Sequence, residues 1–178
     1  MNKSLKAVLV LVVLLIAGYL VMNFSGDKAQ PPVAAPDYKN IEYVIEGERV
    51  HLTDDDISYF GNGLKTDLNG DWREDIVFLI TSNPGGTGTF FYAVAALNTE
   101  QGYVGSDGYF LGDRIAPQTT EVSQNPRHKN VIVVNYADRA EGEPMAAQPS
   151  VGKSVYLKLD AATMQWGIVE PDFEGESR

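Results

Sequence analysis

The stretch DIVFLIT, at residues 75–81, decides the fold class that the sequence predicts. It is a short, continuous apolar run rich in β-branched residues, which is typical of a strand buried on both faces. After the glycine-rich turn SNPGGTG at 82–88, the run TFFYAVAAL at 89–97 is long enough to pair back against it. Two such runs joined by such a turn predict a central antiparallel pair of strands.

Shorter strand-like runs surround this pair. IEYVIEGERVHL, at 41–52, alternates apolar residues around a turn at Glu46, Gly47 and Glu48, which predicts a hairpin. Thr53–Phe60 is expected to form one helical turn, because Thr53 is a good cap and three aspartates follow it. Five more strands are expected at YFLG (109–112), TTEV (119–122), NVIVVNYA (130–137), SVYLKL (154–159) and QWGIV (165–169). The predicted fold class is mainly β, a single antiparallel sandwich or open barrel-like domain.

An apolar segment near the N-terminus predicts a membrane anchor. Residues 7–24 carry no charge and follow Lys3 and Lys6. At ~1.5 Å per residue, a helix of this length reaches about 27 Å, close to the thickness of a bilayer's hydrocarbon core. A cleaved secretory signal is the alternative, but bulky Phe24 and the position of Pro36 disfavour the available cleavage sites. An uncleaved, single-pass signal-anchor helix is therefore predicted.

The anchor also predicts where the rest of the chain lies. The positive-inside rule keeps residues 1–6 in the cytoplasm and sends the domain across the inner (cytoplasmic) membrane, to the periplasm or the exterior of a bacterium. Residues 25–40 contain three prolines and predict an extended linker. The β domain is expected over 41–172, and the tail at 173–178 is expected to fray.

Composition limits the function classes. The formal net charge is -10, and since the segment up to Pro36 is slightly basic, the predicted domain is strongly acidic. An acidic surface repels phosphate backbones, so nucleic-acid binding is disfavoured, whereas divalent cations and basic partners are favoured. The chain has no cysteine, which excludes disulfides, thiolate metal sites and a cysteine nucleophile.

The acidic stretch DLNGDWRED, at 67–75, is the one candidate metal site. Four of its side chains offer oxygens, and the backbone carbonyl of Arg73 offers a fifth. Calcium binds about six to eight oxygens, which a loop of this kind can largely supply. An EF-hand in its usual form is excluded, because Phe78 occupies the twelfth position. The alternative is a tight Asn-Gly turn whose aspartates hydrogen-bond the local backbone. The candidate side-chain ligands are Asp67, Asn69, Asp71 and Asp75.

A loop of this spacing that runs straight into an apolar strand resembles the calcium loop of FG-GAP and related β-propeller repeats. The resemblance implies the same four side chains as ligands of Ca²⁺. Because the loop is joined to a central strand, a bound ion is expected to have a structural role. A propeller needs several such units and this chain has one, so a propeller is not implied. Trp72 departs from the pattern, because the sixth position normally holds Gly in a left-handed conformation, which costs other residues roughly 1 to 2 kcal/mol.

Three longer segments resemble a group of uncharacterised bacterial exported or membrane-anchored proteins. They are DLNGDWREDIVFL, GDRIAPQTTEV and VNYADRAEGEPMAAQPSVGKS. The resemblance spans most of residues 41–160, and it implies a compartment and a shared fold but no chemistry. Typical members of the group carry Gly where this chain has Trp72.

The remaining polar features give weaker predictions. The pairs Asp113-Arg114 and Asp138-Arg139 each stand at the end of a predicted strand. They are expected to be ordinary ion pairs, and the alternative is that they form one recognition patch. The loop at 138–152 is long and rich in small residues, with Met145 near its tip, and is the predicted surface for a protein partner. His51 and His128 are expected to be ordinary surface histidines, since no nucleophile-elbow pattern is present.

These features together predict a non-enzymatic, membrane-anchored extracytoplasmic β domain. Its role is that of a binding or envelope-associated module, with calcium as its only expected cofactor and no catalytic residues. One alternative is an envelope hydrolase whose carboxylate pair would be Asp113 and Asp138. Another is an inhibitory or propeptide-like domain.

Overall fold

The computed structural model describes residues 37–171, and strands dominate this range. A short 3-10 helix, Tyr38–Asn40, comes first, and all pairings between the strands that follow are antiparallel. The strands are β1 (Tyr43–Ile45), β2 (Glu48–Val50), β3 (Ile57–Thr66), β4 (Asp75–Ser82), β5 (Phe90–Thr99), β6 (Gly102–Gly105), β7 (Tyr109–Asp113), β8 (Ala116–Val122), β9 (Val131–Asp138), β10 (Val151–Asp160) and β11 (Gln165–Ile168). The prediction of a mainly β domain is confirmed.

The strands form three open sheets. The β1–β2 hairpin is a sheet by itself, as the turn at Glu46 and Gly47 predicts. The second sheet has the order β3-β4-β5-β6, and β7 also pairs with β5. The third has the order β11-β10-β9-β8. None of the sheets in the described part of the chain closes into a barrel.

β4 lies at the centre of the second sheet and is buried along its whole length. All eight of its residues are buried, and it pairs with β3 on one side and β5 on the other. Because side chains alternate across a strand, Val77 and Leu79 face one core while Phe78 and Ile80 face another. The predicted central strand and its antiparallel partner β5 are confirmed.

A different layer covers each face of β4. Val77 and Leu79 belong to a cluster that includes Ile132 on β9 and Leu157 on β10, so the second and third sheets pack on each other through it. Phe78 belongs to a cluster with Tyr43 and Ile45 of β1 and with Tyr38 of the 3-10 helix. The rings of Tyr38, Tyr43 and Tyr59 lie 5.4, 5.5 and 5.2 Å from that of Phe78. The hairpin thus shields a face that would otherwise expose apolar residues.

The helical turn predicted at Thr53–Phe60 is wrong. Residues 57–60 begin β3, where Ile57 pairs with Ser82 of β4. Asp54 accepts the backbone N–H of His51 at 2.7 Å and closes a turn there. The run Ile-Ser-Tyr-Phe has strand-forming side chains, and pairing with the buried β4 outweighs a local capping preference. The short strand β6 was not predicted either.

The predicted anchor (7–24) and tail (173–178) lie outside the described residues, as does most of the predicted linker (25–40). Its last residues, Tyr38–Asn40, form the 3-10 helix. Within residues 37–171, no helix is both long and apolar enough to cross a membrane.

Replacing Phe78 by Ala is expected to destabilise the domain strongly. The ring is fully buried and is surrounded by three tyrosines, so Phe78→Ala leaves a cavity and is expected to cost roughly 3 to 5 kcal/mol of unfolding free energy. Phe110→Ala is a matched control, because that ring is 50% exposed and its loss should cost less than about 1 kcal/mol. Urea unfolding of the purified proteins measures both, and equal losses would contradict the assigned core.

Candidate functional site

The predicted metal loop connects β3 to β4 and closes around Asp67. Oδ1 of Asp67 accepts the backbone N–H groups of Asn69, Gly70 and Asp71 at 3.2, 2.6 and 3.3 Å. Oδ2 accepts the N–H of Trp72 at 2.9 Å. Desolvation works against the ionised form, but the four amides outweigh it and hold the pKa of the Asp67 carboxyl below its ordinary value. Asp67 therefore organises the turn as a charged acceptor.

The middle of the loop continues the same pattern. Oδ1 of Asn69 accepts the N–H of Asp71 at 2.9 Å, and Oδ1 of Asp71 accepts the N–H of Arg73 at 2.9 Å. The other oxygen of Asp71 lies 3.2 Å from the Asn69 amide nitrogen and 3.5 Å from the guanidinium of Arg73. Arg73 also pairs with Glu100 at 3.1 Å. Asp67, Asn69 and Asp71 thus lie in one turn, and their oxygens accept mainly backbone N–H groups of the loop.

Asp75, the last predicted ligand, is fully buried at the start of β4. Its Oδ2 accepts the N–H of Leu68 at 2.8 Å, and its Oδ1 accepts the N–H of Asn98 on β5 at 2.8 Å. Burial raises the pKa of the Asp75 carboxyl above its ordinary value, although the two amides oppose this effect. This side chain ties the loop to two strands of the central sheet.

Trp72 takes the backbone conformation that the sixth position of such a loop requires. Its φ is +67°, in the left-handed region, and its side chain is 95% exposed. The indole therefore gains almost no burial in return for a conformation that costs a residue with a side chain roughly 1 to 2 kcal/mol. The expectation that this position is left-handed is confirmed, and Trp72 therefore has a strained backbone conformation.

Hydrogen bonds account for the loop without a cation. Across residues 37–171, no group of three or more His, Asp and Glu side chains is placed to hold a metal ion. A carboxylate offers about four lone-pair sites, so oxygens such as Oδ2 of Asp67, with one amide donor, retain acceptor capacity. The loop combines features of both sequence hypotheses, and calcium binding stays a prediction.

The two predicted Asp-Arg pairs meet at one place. The guanidinium of Arg114 donates to the carboxylate of Asp113, with its NH2 nitrogen 2.9 Å from Oδ2. Arg139 donates to the backbone carbonyls of Asp113 and Arg114 at 3.3 and 3.1 Å. Asp138 pairs with Lys153 at 2.7 Å. The ends of β7 and β9 are therefore joined in one charged cluster.

The charges in this cluster disfavour a general-acid role for Asp113 and Asp138. The hydrogen bond from Arg114 lowers the pKa of the Asp113 carboxyl, and that from Lys153 lowers the pKa of the Asp138 carboxyl. Both groups therefore stay ionised around neutral pH. A general acid in glycoside hydrolysis needs the opposite shift, a raised pKa that keeps its proton available.

The contact between His128 and Ser123 was not predicted from the sequence. Nδ1 of His128 lies 2.7 Å from Oγ of Ser123, and its Nε2 lies 3.3 Å from the amide nitrogen of Asn125. With the proton on Nδ1, the ring donates to Ser123 and accepts from Asn125, which suits a role in fixing the turn at 123–128 rather than in deprotonating the serine. The Asn-Pro sequence between Ser123 and His128 predicts a turn, and that turn could have indicated that the two side chains meet. His51 lies 4.0 Å from Glu42 and its side chain is 45% exposed, as expected of a surface histidine.

Comparisons with known proteins found no matching family model, no similar curated protein and no similar solved structure.

Replacing Trp72 by Gly is expected to stabilise the domain. Glycine takes a φ of +67° freely, and the substitution removes an exposed side chain that buries almost nothing. After allowing for the greater freedom of glycine in the unfolded chain, a gain of about 0.5 to 1 kcal/mol remains. Trp166, the other tryptophan, packs on the core, so Trp166→Gly should instead cost at least about 1 kcal/mol. Urea unfolding checks both signs, and a loss of stability in Trp72→Gly would contradict the strain.

Calcium binding by the loop is expected to raise the melting temperature. Free calcium at about one hundred times Kd would stabilise the folded state by ~2.7 kcal/mol. The measurement is the melting temperature in millimolar calcium against chelator. Asp71→Asn, which removes an exposed carboxylate of the loop, should abolish the shift. Identical melting temperatures in calcium and in chelator would refute the calcium prediction.

Proposed function

We propose that this chain is a binding module of the cell envelope, a β-sandwich held on the outer side of the inner membrane by an N-terminal helix and a linker. It acts by contacting a partner and not by catalysing a reaction. The uncharged apolar run at 7–24 behind Lys3 and Lys6 supports the anchor and its orientation. The acidic composition of the domain favours a basic partner and disfavours nucleic acid.

One observation carries this proposal: a long exposed loop stands on a rigid base. The loop joins β9 to β10, and every residue over 141–146 is exposed. At its tip Met145 is 45% exposed, an unusual place for a large apolar side chain. Methionine is flexible and polarisable, and it adapts well to the surface of a partner. The predicted partner loop at 138–152 thus has the exposure that partner binding requires.

The base of the loop is fixed by several contacts. The N–H of Ser150 donates to the carbonyl of Asp138 at 2.9 Å, which closes the loop where the two strands end. Lys153 pairs with the Asp138 carboxylate, and Arg139 bonds to the end of β7. A further turn is held by the side chain of Glu143, which accepts the N–H of Ala140 at 2.9 Å. A tip presented on such a base loses little conformational entropy on binding.

Cysteine labelling of the full-length chain tests both parts of the proposal. Because the chain has no cysteine, Met145→Cys and Val104→Cys each introduce a single reactive thiol. The two positions are a matched pair, since both side chains are 45% exposed. In cells with an intact inner membrane, an impermeant maleimide should label both. A photoreactive maleimide should then give a discrete cross-linked product from position 145 alone.

Maleimide labelling tests the location of the domain, and cross-linking tests the role of the loop. Labelling that appears only after lysis of the inner membrane would overturn the proposed location. Normal labelling with no cross-link at 145, or with the same cross-link at 145 and 104, would overturn the role of the loop.

A further inference from the structure

A groove of about 490 Å³ lies between the β1–β2 hairpin and the adjoining ends of β4, β5 and β7. Its volume is in the range of pockets that hold small molecules or single side chains. It belongs to neither the acidic loop nor the charged cluster at Asp113 and Arg139. Aromatic, acidic and hydroxyl side chains line it beside aliphatic ones, and each of these three kinds has a distinct chemical role.

Aromatic rings form one wall of the groove. The ring of Phe110 lies 6.3 Å from that of Phe90 and 5.4 Å from that of Tyr92. Phe110 is 50% exposed, so one face of this cluster is open to an incoming group. The face of an aromatic ring carries partial negative charge and attracts cations.

Carboxylates surround this wall. Glu46, Glu48 and Asp56 all line the groove. The hydroxyl of Tyr92 donates to the carboxylate of Glu46 at 2.7 Å, which holds that carboxylate beside the rings. Glu48 and Asp56 have no side-chain hydrogen bond or ion pair with any residue of the described range. Negative charge is therefore concentrated here without an internal cation to balance it.

The alternation of side chains in β2 keeps Arg49 out of the groove. Arg49 lies between Glu48 and Val50, both of which line the groove, and so it points to the other face of the hairpin. There its guanidinium pairs with Glu42 at 2.9 Å. Among the described residues that line the groove there is no lysine, arginine or histidine.

The hydroxyl of Ser82 adds a hydrogen-bonding group to the groove. Ser82, at the end of β4, lines the groove and is only 7% exposed. Its Oγ makes no hydrogen bond within residues 37–171. This oxygen is not sealed from solvent, so a donor that enters the groove can reach it.

We propose that the groove binds the cationic end of a basic side chain, the guanidinium or ammonium group of an arginine or lysine in a partner peptide. The aromatic wall contacts the cation and the methylene groups behind it. The carboxylates neutralise its charge, and Oγ of Ser82 accepts one of its N–H groups. This site is separate from the loop at 138–152, so the failure of either proposal leaves the other intact.

Fluorescence anisotropy of the full-length chain in nonionic detergent micelles tests the groove. The probe is a fluorescein-labelled tri-arginine peptide amide. The matched probe carries citrulline in place of each arginine, which preserves shape and removes the charge. We expect the arginine peptide to bind at least about tenfold more tightly than the citrulline peptide. Comparable affinities for the two peptides, or no binding of the arginine peptide at millimolar protein, would overturn the proposal.

Variants separate the groove from the general acidity of the domain. The double variant Glu48→Gln/Asp56→Asn removes two charges without breaking a hydrogen bond, and it should weaken arginine-peptide binding about fivefold. The control Glu121→Gln/Glu170→Gln removes two exposed charges elsewhere and should leave affinity nearly unchanged. Phe110→Ala keeps the net charge and should weaken binding about threefold through loss of the cation–π contact. Equal weakening by the two double variants would show diffuse attraction and overturn the site.

Discussion

The burial of β4 on both of its faces is the constraint on which the rest of the structure depends. Eight consecutive residues have no exposed side, so a single sheet packed on one core cannot accommodate them. One face needs the third sheet, and the other needs the hairpin and the 3-10 helix. The aromatic packing of three tyrosines around Phe78 explains why so short a hairpin suffices, since each ring buries a large apolar area.

The same strand explains the acidic loop. β4 begins at a residue that is already buried, and that residue is an aspartate. A buried carboxylate is destabilising unless it is hydrogen-bonded, and Asp75 meets this requirement with amides from the loop and from β5. The loop must therefore bring Leu68 back to Asp75, and Asp67 shapes it by accepting four amides. Its acidic residues follow from how the chain enters β4, whether or not a cation also binds.

The sequence was sufficient to predict elements whose local pattern and tertiary environment agree. Strands β4 and β5 are apolar runs that are buried in any arrangement, and the Glu-Gly turn of the first hairpin needs no distant partner. Strand β3 could not be predicted in the same way. It contains glycines at 61 and 63, its pairing with β4 shifts register near Gly61, and most of its residues are exposed or only partly buried. Pairing with β4 therefore decides that the whole segment is a strand.

The same distinction applies to the candidate sites, which are formed either by consecutive residues or by residues far apart in the sequence. The acidic loop was predictable because its residues are consecutive, and its left-handed sixth position followed from the turn. The groove was not, because Glu46, Ser82 and Phe110 come from three separate strands or turns that only the fold brings together. Ser123 and His128 are intermediate, since a short Asn-Pro turn joins them. Sequence spacing therefore predicts sites that lie within one turn, and pairing register determines the others.

Glu46 and Trp72 are two of the six non-glycine residues with positive φ in the described range, and they hold this conformation for different reasons. Glu46, with φ +53°, and Gly47, with φ +86°, form the two-residue turn of the hairpin, where Asn or Gly is ordinarily preferred at the first position. Trp72 has the same strain and an indole in solvent, whereas the carboxylate of Glu46 receives the hydroxyl of Tyr92 at the edge of the groove. A strained backbone conformation indicates a functional site most clearly where the side chain of the strained residue makes a specific contact. By that criterion Glu46 is a better indicator of a binding site than Trp72.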